Sequence, residues 1–148
     1  METTISQIGT IINAEGLIVG RMASTIAKRL LSGERVIIVN AEKAMLSGKR
    51  KSKVAEAKIF LEVGYPRQGP LHYKRPDRIL RKTVRGMLPF KQPKGKQAYK
   101  RLMVYIGVPN ELKDQKMETL PTAKSDKLTC PRFTLGEFAK EIGWNTGE

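Results

Sequence analysis

The fold is decided by residues 10–39, which read TIINAEGLIVGRMASTIAKRLLSGERVIIV. Thr10–Asn13 is mostly β-branched and apolar, and together with residues 17–19, across a turn at 14–16, it predicts a strand. Val36–Val39 is entirely apolar and β-branched. This pattern is typical of a strand buried on both faces, and it favours a parallel sheet.

A helix is predicted between these two strands, over about residues 20–31. Met22, Ile26 and Leu30 recur every four residues, so they share one face of a helix. Gly33 follows at the position where helices commonly end on a glycine. Strand, helix and strand in fewer than forty residues predict a βαβ unit, which is right-handed in nearly all known proteins.

The remaining patterns complete an α/β fold class, with three α/β/α layers and a short, mostly parallel sheet of about four strands. Strands are predicted at 44–46 and 102–106, helices over 51–63 and 77–87, a helical turn over 97–101, and basic loops at 64–76 and 90–95. We divide the chain into a core, residues 1–107, and a C-terminal extension, residues 108–148. A short helix is expected near 134–142, where Thr134 and Glu137 form a capping box.

The charge of the chain is large and unevenly distributed. The 148 residues include 28 Lys and Arg against 14 Asp and Glu, a formal net charge of +14. Residues 67–101 alone carry twelve basic side chains and one acidic side chain, a net charge of +11. An excess concentrated in one segment indicates a binding surface for a polyanion, with nucleic acid the first candidate and an anionic membrane the second.

Composition excludes several classes of protein. A single cysteine, Cys130, cannot form an internal disulfide, and a single histidine, His72, excludes a multi-histidine metal site. No apolar run approaches the length of a membrane span, and the first residues lack the pattern of a signal peptide. We therefore expect a cytoplasmic protein with no cofactor, no metal and no small-molecule substrate.

The predicted helix over 77–87 has two distinct faces. At 100° per residue, one arc of about 100° holds the four cations Arg78, Arg81, Lys82 and Arg85. A second arc holds the apolar residues Leu80, Val84, Met87 and Leu88. Like charges on one helix face repel one another, so this face favours an anionic ligand over a merely solvated surface.

The segments flanking this helix carry the same charge, interleaved with aromatic residues. Cations suit phosphates, rings suit unstacked bases and glycines permit close backbone approach, which favours RNA. Core packing is the alternative role for the rings, Phe90 and Tyr99 above all. The candidate RNA contacts are Lys49, Arg50, Lys51, Lys53, Arg67, His72, Tyr73, Lys74, Arg75, Arg78, Arg81, Lys82, Arg85, Gly86, Lys91, Lys94, Lys96, Lys100 and Arg101.

Two alternative functions are weighed against this one. A free-standing regulator of RNA or DNA would read bases at a short site. A nucleotide-dependent α/β enzyme would cradle a phosphate with Gly20 at the helix start, but neither a Walker A motif nor a G-x-G-x-x-G fingerprint is present. No set of nucleophile, base and acid can be assembled either, so we expect no enzyme.

Residues 84–107 resemble the signature of the large-subunit ribosomal protein thirteen family. The motif comprises residues 84–89 (VRGMLP), Gly95-Lys96 and residues 102–107 (LMVYIG), in the spacing of that family. Residues 19–24 (VGRMAS) and 39–43 (VNAEK), the latter followed by Ser47-Gly48-Lys49, are similar to two further family segments in the same order.

The resemblance covers about residues 10–107, and it implies an α/β/α fold and a non-enzymatic role. The implied partners are large-subunit ribosomal RNA and neighbouring large-subunit proteins, and the implied location is the cytoplasmic ribosome. RNA contact carries over first to Arg85, Gly86, Lys96, Lys100 and Arg101, which lie within the motif. The short connection after Leu31 and the long tail are similar to archaeal and eukaryotic members rather than bacterial ones.

Overall fold

A computed structural model describes residues 9–65, 67–69 and 72–146. The helices and strands, in chain order, are β1 (Thr10–Asn13), α1 (Val19–Leu31), β2 (Val36–Val39), β3 (Met45–Ser47), α2 (Arg50–Glu62), α3 (Pro76–Met87), α4 (Pro93–Lys100), β4 (Leu102–Val104), β5 (Arg132–Thr134) and α5 (Leu135–Glu141).

The central sheet has three parallel strands in the order β1-β2-β4. Ile12 pairs with Ile38, and Ile38 pairs with Val104, so the middle strand is β2, the all-apolar one. A separate antiparallel pair joins β3 to β5, where Leu46 pairs with Phe133. The strand predicted near 44–46 therefore belongs to this second sheet and not to the central one.

One face of the central sheet packs against helices. Ile12, Val36, Ile38 and Leu102 alternate onto this face. The apolar stripe of α1, and buried residues of α3, α4 and α5, complete the same core. Burying one such side chain contributes about 1.5–3 kcal/mol, so this layer supplies most of the stability of the fold.

The other face of the central sheet is covered differently. Ile11 and Val39 alternate onto it and pack against Leu112, with Val108 and Met117 beside them. These last three residues come from the irregular segment that follows β4. Among the described residues, this segment occupies the place where the sequence predicted a second helical layer.

The C-terminal extension packs onto the core. Glu118 extends the sheet at β1, since its backbone N–H donates to Ile11 O at 2.8 Å and its carbonyl accepts from Asn13 N at 3.0 Å. Its side chain forms a bidentate ion pair with Arg29 of α1, at 2.7 and 2.9 Å. This hydrogen bonding lowers the pKa of Glu118 and raises that of Arg29. Leu120 and Ala123 then enter the main core.

The α/β class, the parallel sheet and the predicted helices are confirmed, with three further differences of detail besides the place of β3 and the covering of the second sheet face described above. The central sheet has three strands, where about four were expected. Residues 17 and 18 form single bridges to Lys124 and Met45 rather than a continuation of β1. The helical turn predicted at 97–101 is a full helix, α4, because Pro93 fits the first position of a helix and Gly95 is small enough for close packing.

Candidate nucleic-acid interface

Helix α3 is built as the sequence pattern predicts. Pro76 occupies the first helical turn, Asp77 lies favourably at the positive end of the helix dipole, and Arg85 lies near the negative end. Leu80 and Val84 are fully buried against α1 and β4. Met87 was placed on the apolar arc, but its side chain is 43% exposed, whereas Leu88, at the end of the helix, is buried in the main core.

The cationic arc of α3 is not neutralised within the described part of the chain. Arg78, Lys82 and Arg85 are exposed and Arg81 is half-buried. No carboxylate of the described residues pairs with any of these four side chains. Asp77, the one acid of the segment, instead binds Arg75, with a closest separation of 3.2 Å. The arc therefore presents uncompensated positive charge to the surroundings.

Three arginines of this arc each lie over an aromatic ring. The guanidinium carbon of Arg85 is 4.0 Å from the centroid of Phe90, that of Arg81 is 4.7 Å from Tyr99, and that of Arg78 is 5.9 Å from Tyr73. Stacking on a ring holds the planar guanidinium in place and leaves its N–H edge free to donate to phosphate oxygens.

Two of the aromatic rings take the packing role that the sequence analysis gave as the alternative to RNA contact. Phe90 and Tyr99 are half-buried and meet edge to face, with centroids 5.5 Å apart. Each also contacts the arginine above it, and Tyr99 packs against the main core as well. They are supports for Arg81 and Arg85, and the packing role considered for them from the sequence is the one observed.

Most of the predicted basic contacts outside this arc are exposed. Among the described residues none of the following is engaged in an ion pair: Lys49, Lys51, Lys53, Arg67, Lys74, Lys91, Lys94, Lys96 and Lys100. Gly86 lies exposed on α3, and a Cβ added there would meet nothing within 4 Å. These positions are free to approach a ligand.

Three predicted contacts have partners within the chain. Arg50 at the start of α2 binds Glu141 and Glu137 of α5. Arg75 binds Asp77, and Arg101 donates to the backbone carbonyl of Leu30 at 3.2 Å. The sequence analysis did not predict these pairings. Glu137, Glu141 and Leu30 lie on other elements, and Asp77 was considered only for its charge.

His72 and Tyr73 precede α3. Both line an apolar groove, and Tyr73 also lies under Arg78 of the cationic arc. The His72 ring is 5.7 Å from that of Phe60. Lys82 borders the same groove, so it lies between the two surfaces. Gly20, proposed for a phosphate in the enzyme alternative, is exposed in the first turn of α1, where a Cβ would meet nothing within 4 Å.

Neither a metal site nor a membrane-spanning helix is found among the described residues. Within residues 9–65, 67–69 and 72–146, no three His, Cys, Asp or Glu side chains are grouped so that they could hold a metal ion. No helix in those ranges is long and apolar enough to cross a membrane.

The sequence that forms this surface matches a known protein family. The family model described as Ribosomal protein L13 matches residues 8–111. The chain belongs to the ribosomal protein L13 family. The matched range contains the parallel sheet, α1 to α4 and the whole cationic arc, so the resemblance stated for residues 10–107 is confirmed.

Curated relatives extend the similarity into the tail. The large ribosomal subunit protein uL13 of Methanosarcina barkeri is 49% identical over 136 residues, covering 90% of this chain and 97% of the relative. The proteins of the same name from Methanococcoides burtonii and Archaeoglobus fulgidus are 44% and 41% identical, covering 90% and 95% of this chain and 97% and 92% of their own lengths. These are archaeal proteins, as the short connection and the long tail indicated.

Proposed function

We propose that this chain is a structural, non-catalytic constituent of the large ribosomal subunit in the cytoplasm, where it binds large-subunit ribosomal RNA and neighbouring proteins. The observation that carries the RNA-binding part is the cationic arc of α3, whose charge no described carboxylate neutralises. Membership of the L13 family and the names of the archaeal relatives support the location.

The mechanism is charge neutralisation by a preorganised surface. Arginine and lysine side chains bind phosphates and release condensed counterions, which stabilises RNA segments that would otherwise repel one another. Because Arg81 and Arg85 are already held by Tyr99 and Phe90, less side-chain entropy is lost when a phosphate binds. The buried face of α3 fixes these groups to a rigid core.

The direct test measures binding to transcribed large-subunit ribosomal RNA at several salt concentrations. A variant with Arg78, Arg81, Lys82 and Arg85 changed to Gln should keep its fold, because none of these side chains is in the core. Its affinity should fall, and the salt slope should flatten by about 0.7–0.9 for each lost phosphate contact.

A matched control removes four positive charges elsewhere. Lys113, Lys116, Lys124 and Lys127 lie in the tail, are exposed, and form no ion pair with described residues. Changing them to Gln should leave the slope close to that of the parent. Equal slopes for the α3 variant and the parent would refute the proposed surface.

The cellular test is fractionation of a lysate on a sucrose gradient at low and high salt. Migration with the large subunit after a moderate salt wash is the expected result. Migration only with light soluble fractions would contradict the proposal and favour the free-standing regulator.

A further inference from the structure

An apolar groove of about 440 Å³ lies outside the cationic arc. Helices α2, α3 and α5 form its walls. The apolar side chains that line it are Ala57, Phe60, Leu61, Ile79, Phe138 and Ile142. The groove lies against a third side of α3, between the cations and the buried residues. Ile79, Lys82 and Thr83 are the residues of α3 that line it.

Helix α2 extends this apolar surface into the surroundings. Only Val54 of the helix is buried, whereas Ile59, Phe60 and Val63 are 61%, 60% and 59% exposed. At 100° per residue these three fall on one side of the helix, beside the groove. Exposed apolar side chains beside an apolar groove are typical of a binding site, because their burial removes apolar surface from water.

The charges around this surface disfavour RNA as its ligand. Glu56 lies on the same side of α2 as Ile59 and Val63, and Glu62 follows on the same helix. A carboxylate there repels phosphates, which disfavours RNA even though the lining includes rings such as those of Phe60 and Tyr73. The surface therefore differs in kind from the cationic arc of α3.

A second copy of this chain is also disfavoured. Each chain carries a net charge of +14, and the uncompensated arginines of α3 lie next to the groove. Two copies meeting here would bring these cations together. The exposed ammonium of Lys82 at the edge of an apolar groove instead suits a partner that carries a negative charge at that point.

We propose that this groove docks an amphipathic helix of a different protein, with an apolar stripe seated between α2, α3 and α5 and an acidic side chain facing Lys82. The apolar stripe explains the exposed residues of α2, and the acid explains the lysine at the groove edge. The inference rests on the proposed place of the chain in the large subunit but not on RNA binding by α3, although three of the predicted RNA contacts, His72, Tyr73 and Lys82, also line the groove.

The test is photocrosslinking in assembled large subunits. Phe60, an exposed position, is replaced by benzoylphenylalanine, subunits are purified through a salt wash, and the irradiated product is digested with RNase or with protease. We expect an RNase-resistant adduct with another protein. The crosslinked peptide, identified by mass spectrometry, should show apolar residues three or four apart and an Asp or Glu among them.

Other products overturn the proposal. An adduct with RNA, an adduct with a second copy of this chain, a peptide without acid or apolar spacing, or no adduct in the subunit fraction would each refute it. The same replacement at Lys96, on the basic surface, should give an RNA adduct. If only the variant with benzoylphenylalanine at Lys96 gives no RNA adduct, the result contradicts the proposed RNA surface and does not change the conclusion about the groove.

Charge exchange then tests the role of Lys82. Lys82→Glu should lower the crosslink yield per subunit-bound chain several-fold, and changing the identified acid of the partner to Lys should restore it. Lys58→Glu is the matched control, since Lys58 is exposed on α2 but does not line the groove. Equal loss in both variants would refute a specific contact at Lys82.

Discussion

The guanidinium carbon of Arg85 lies 4.0 Å from the centroid of the Phe90 ring, which links the last turn of α3 to the loop before α4. Tyr99 of α4 supports Arg81 in the same way. Because Phe90 and Tyr99 also pack edge to face, the two helices and two guanidinium groups form one rigid unit. The two rings thus hold Arg81 and Arg85 in place without any ligand.

Removing the ring should weaken RNA binding although it removes no charge. Phe90→Leu should lower affinity for large-subunit ribosomal RNA about two- to five-fold, the equivalent of a cation–π interaction of about 0.5–1 kcal/mol. Filter binding at fixed salt measures this. Tyr105→Leu is the control, since Tyr105 is an exposed ring with no arginine over it. An equal effect of both variants would show that the stacking has no role.

Replacing arginine by lysine separates geometry from charge. The double variant Arg81→Lys, Arg85→Lys keeps both charges, so the slope of affinity against salt should remain that of the parent. Affinity itself should fall several-fold, since lysine provides neither the planar fork nor the stacked orientation. Titration of RNA at several salt concentrations gives both quantities. Unchanged affinity would show that positive charge alone at these two positions is sufficient for RNA binding, whatever the shape of the side chain.

The sequence predicted those parts of the fold that depend on local patterns. The four-residue repeat of α1, the apolar run of β2 and the capping box before α5 each specify one element, and each is present. The strand near 44–46 was also found, but its partner was not predicted. Pairing between β3 and β5 joins segments more than eighty residues apart, and the local pattern carries no information about that contact.

The candidate site shows the same division. The cationic arc of α3 follows from helix geometry, so its residues could be named in advance. The ion pair of Arg50 and the hydrogen bond of Arg101 to a backbone carbonyl depend on α5 and α1, which lie far away in the chain. The stacking of three arginines could have been suspected from aromatic residues near a basic helix, but only tertiary structure shows which ring lies under which guanidinium.

The ion pair between Arg29 and Glu118 should make the attachment of the tail sensitive to pH. The pKa of Glu118 is lowered from 4.5 in the folded protein by its hydrogen bond to Arg29. The stabilisation is therefore present above pH 4.5 and is lost as the pH falls through the folded pKa. Since both side chains are partly exposed, Glu118→Gln should lower the free energy of unfolding by at most about 1 kcal/mol at pH 7.

Urea unfolding of parent and variant between pH 7 and pH 3 measures this difference. The two proteins should converge in stability at the acid end. Glu111→Gln is the control, because Glu111 is exposed and has no ion pair or side-chain hydrogen bond with the described residues. A difference that persists unchanged at pH 3 would show that the effect is not the charge of Glu118.

Two glycines of the family motif should respond in opposite ways to alanine. A Cβ on Gly95 would lie far inside the van der Waals distance of the Pro89 carbonyl, so Gly95→Ala must displace the loop between α3 and α4 and should destabilise the fold by about 1–3 kcal/mol. A Cβ on Gly86 meets nothing, and alanine favours the helix, so Gly86→Ala should stabilise the fold by about 0.5–1 kcal/mol.

The RNA affinity of the more stable variant then shows why Gly86 is present. If the RNA backbone approaches α3 closely there, as the proposed interface requires, Gly86→Ala should lose affinity while gaining stability. Thermal unfolding and filter binding on the same preparation measure the two effects. Unchanged affinity would place the RNA away from Gly86 and confine the interface to the charged side chains of the arc.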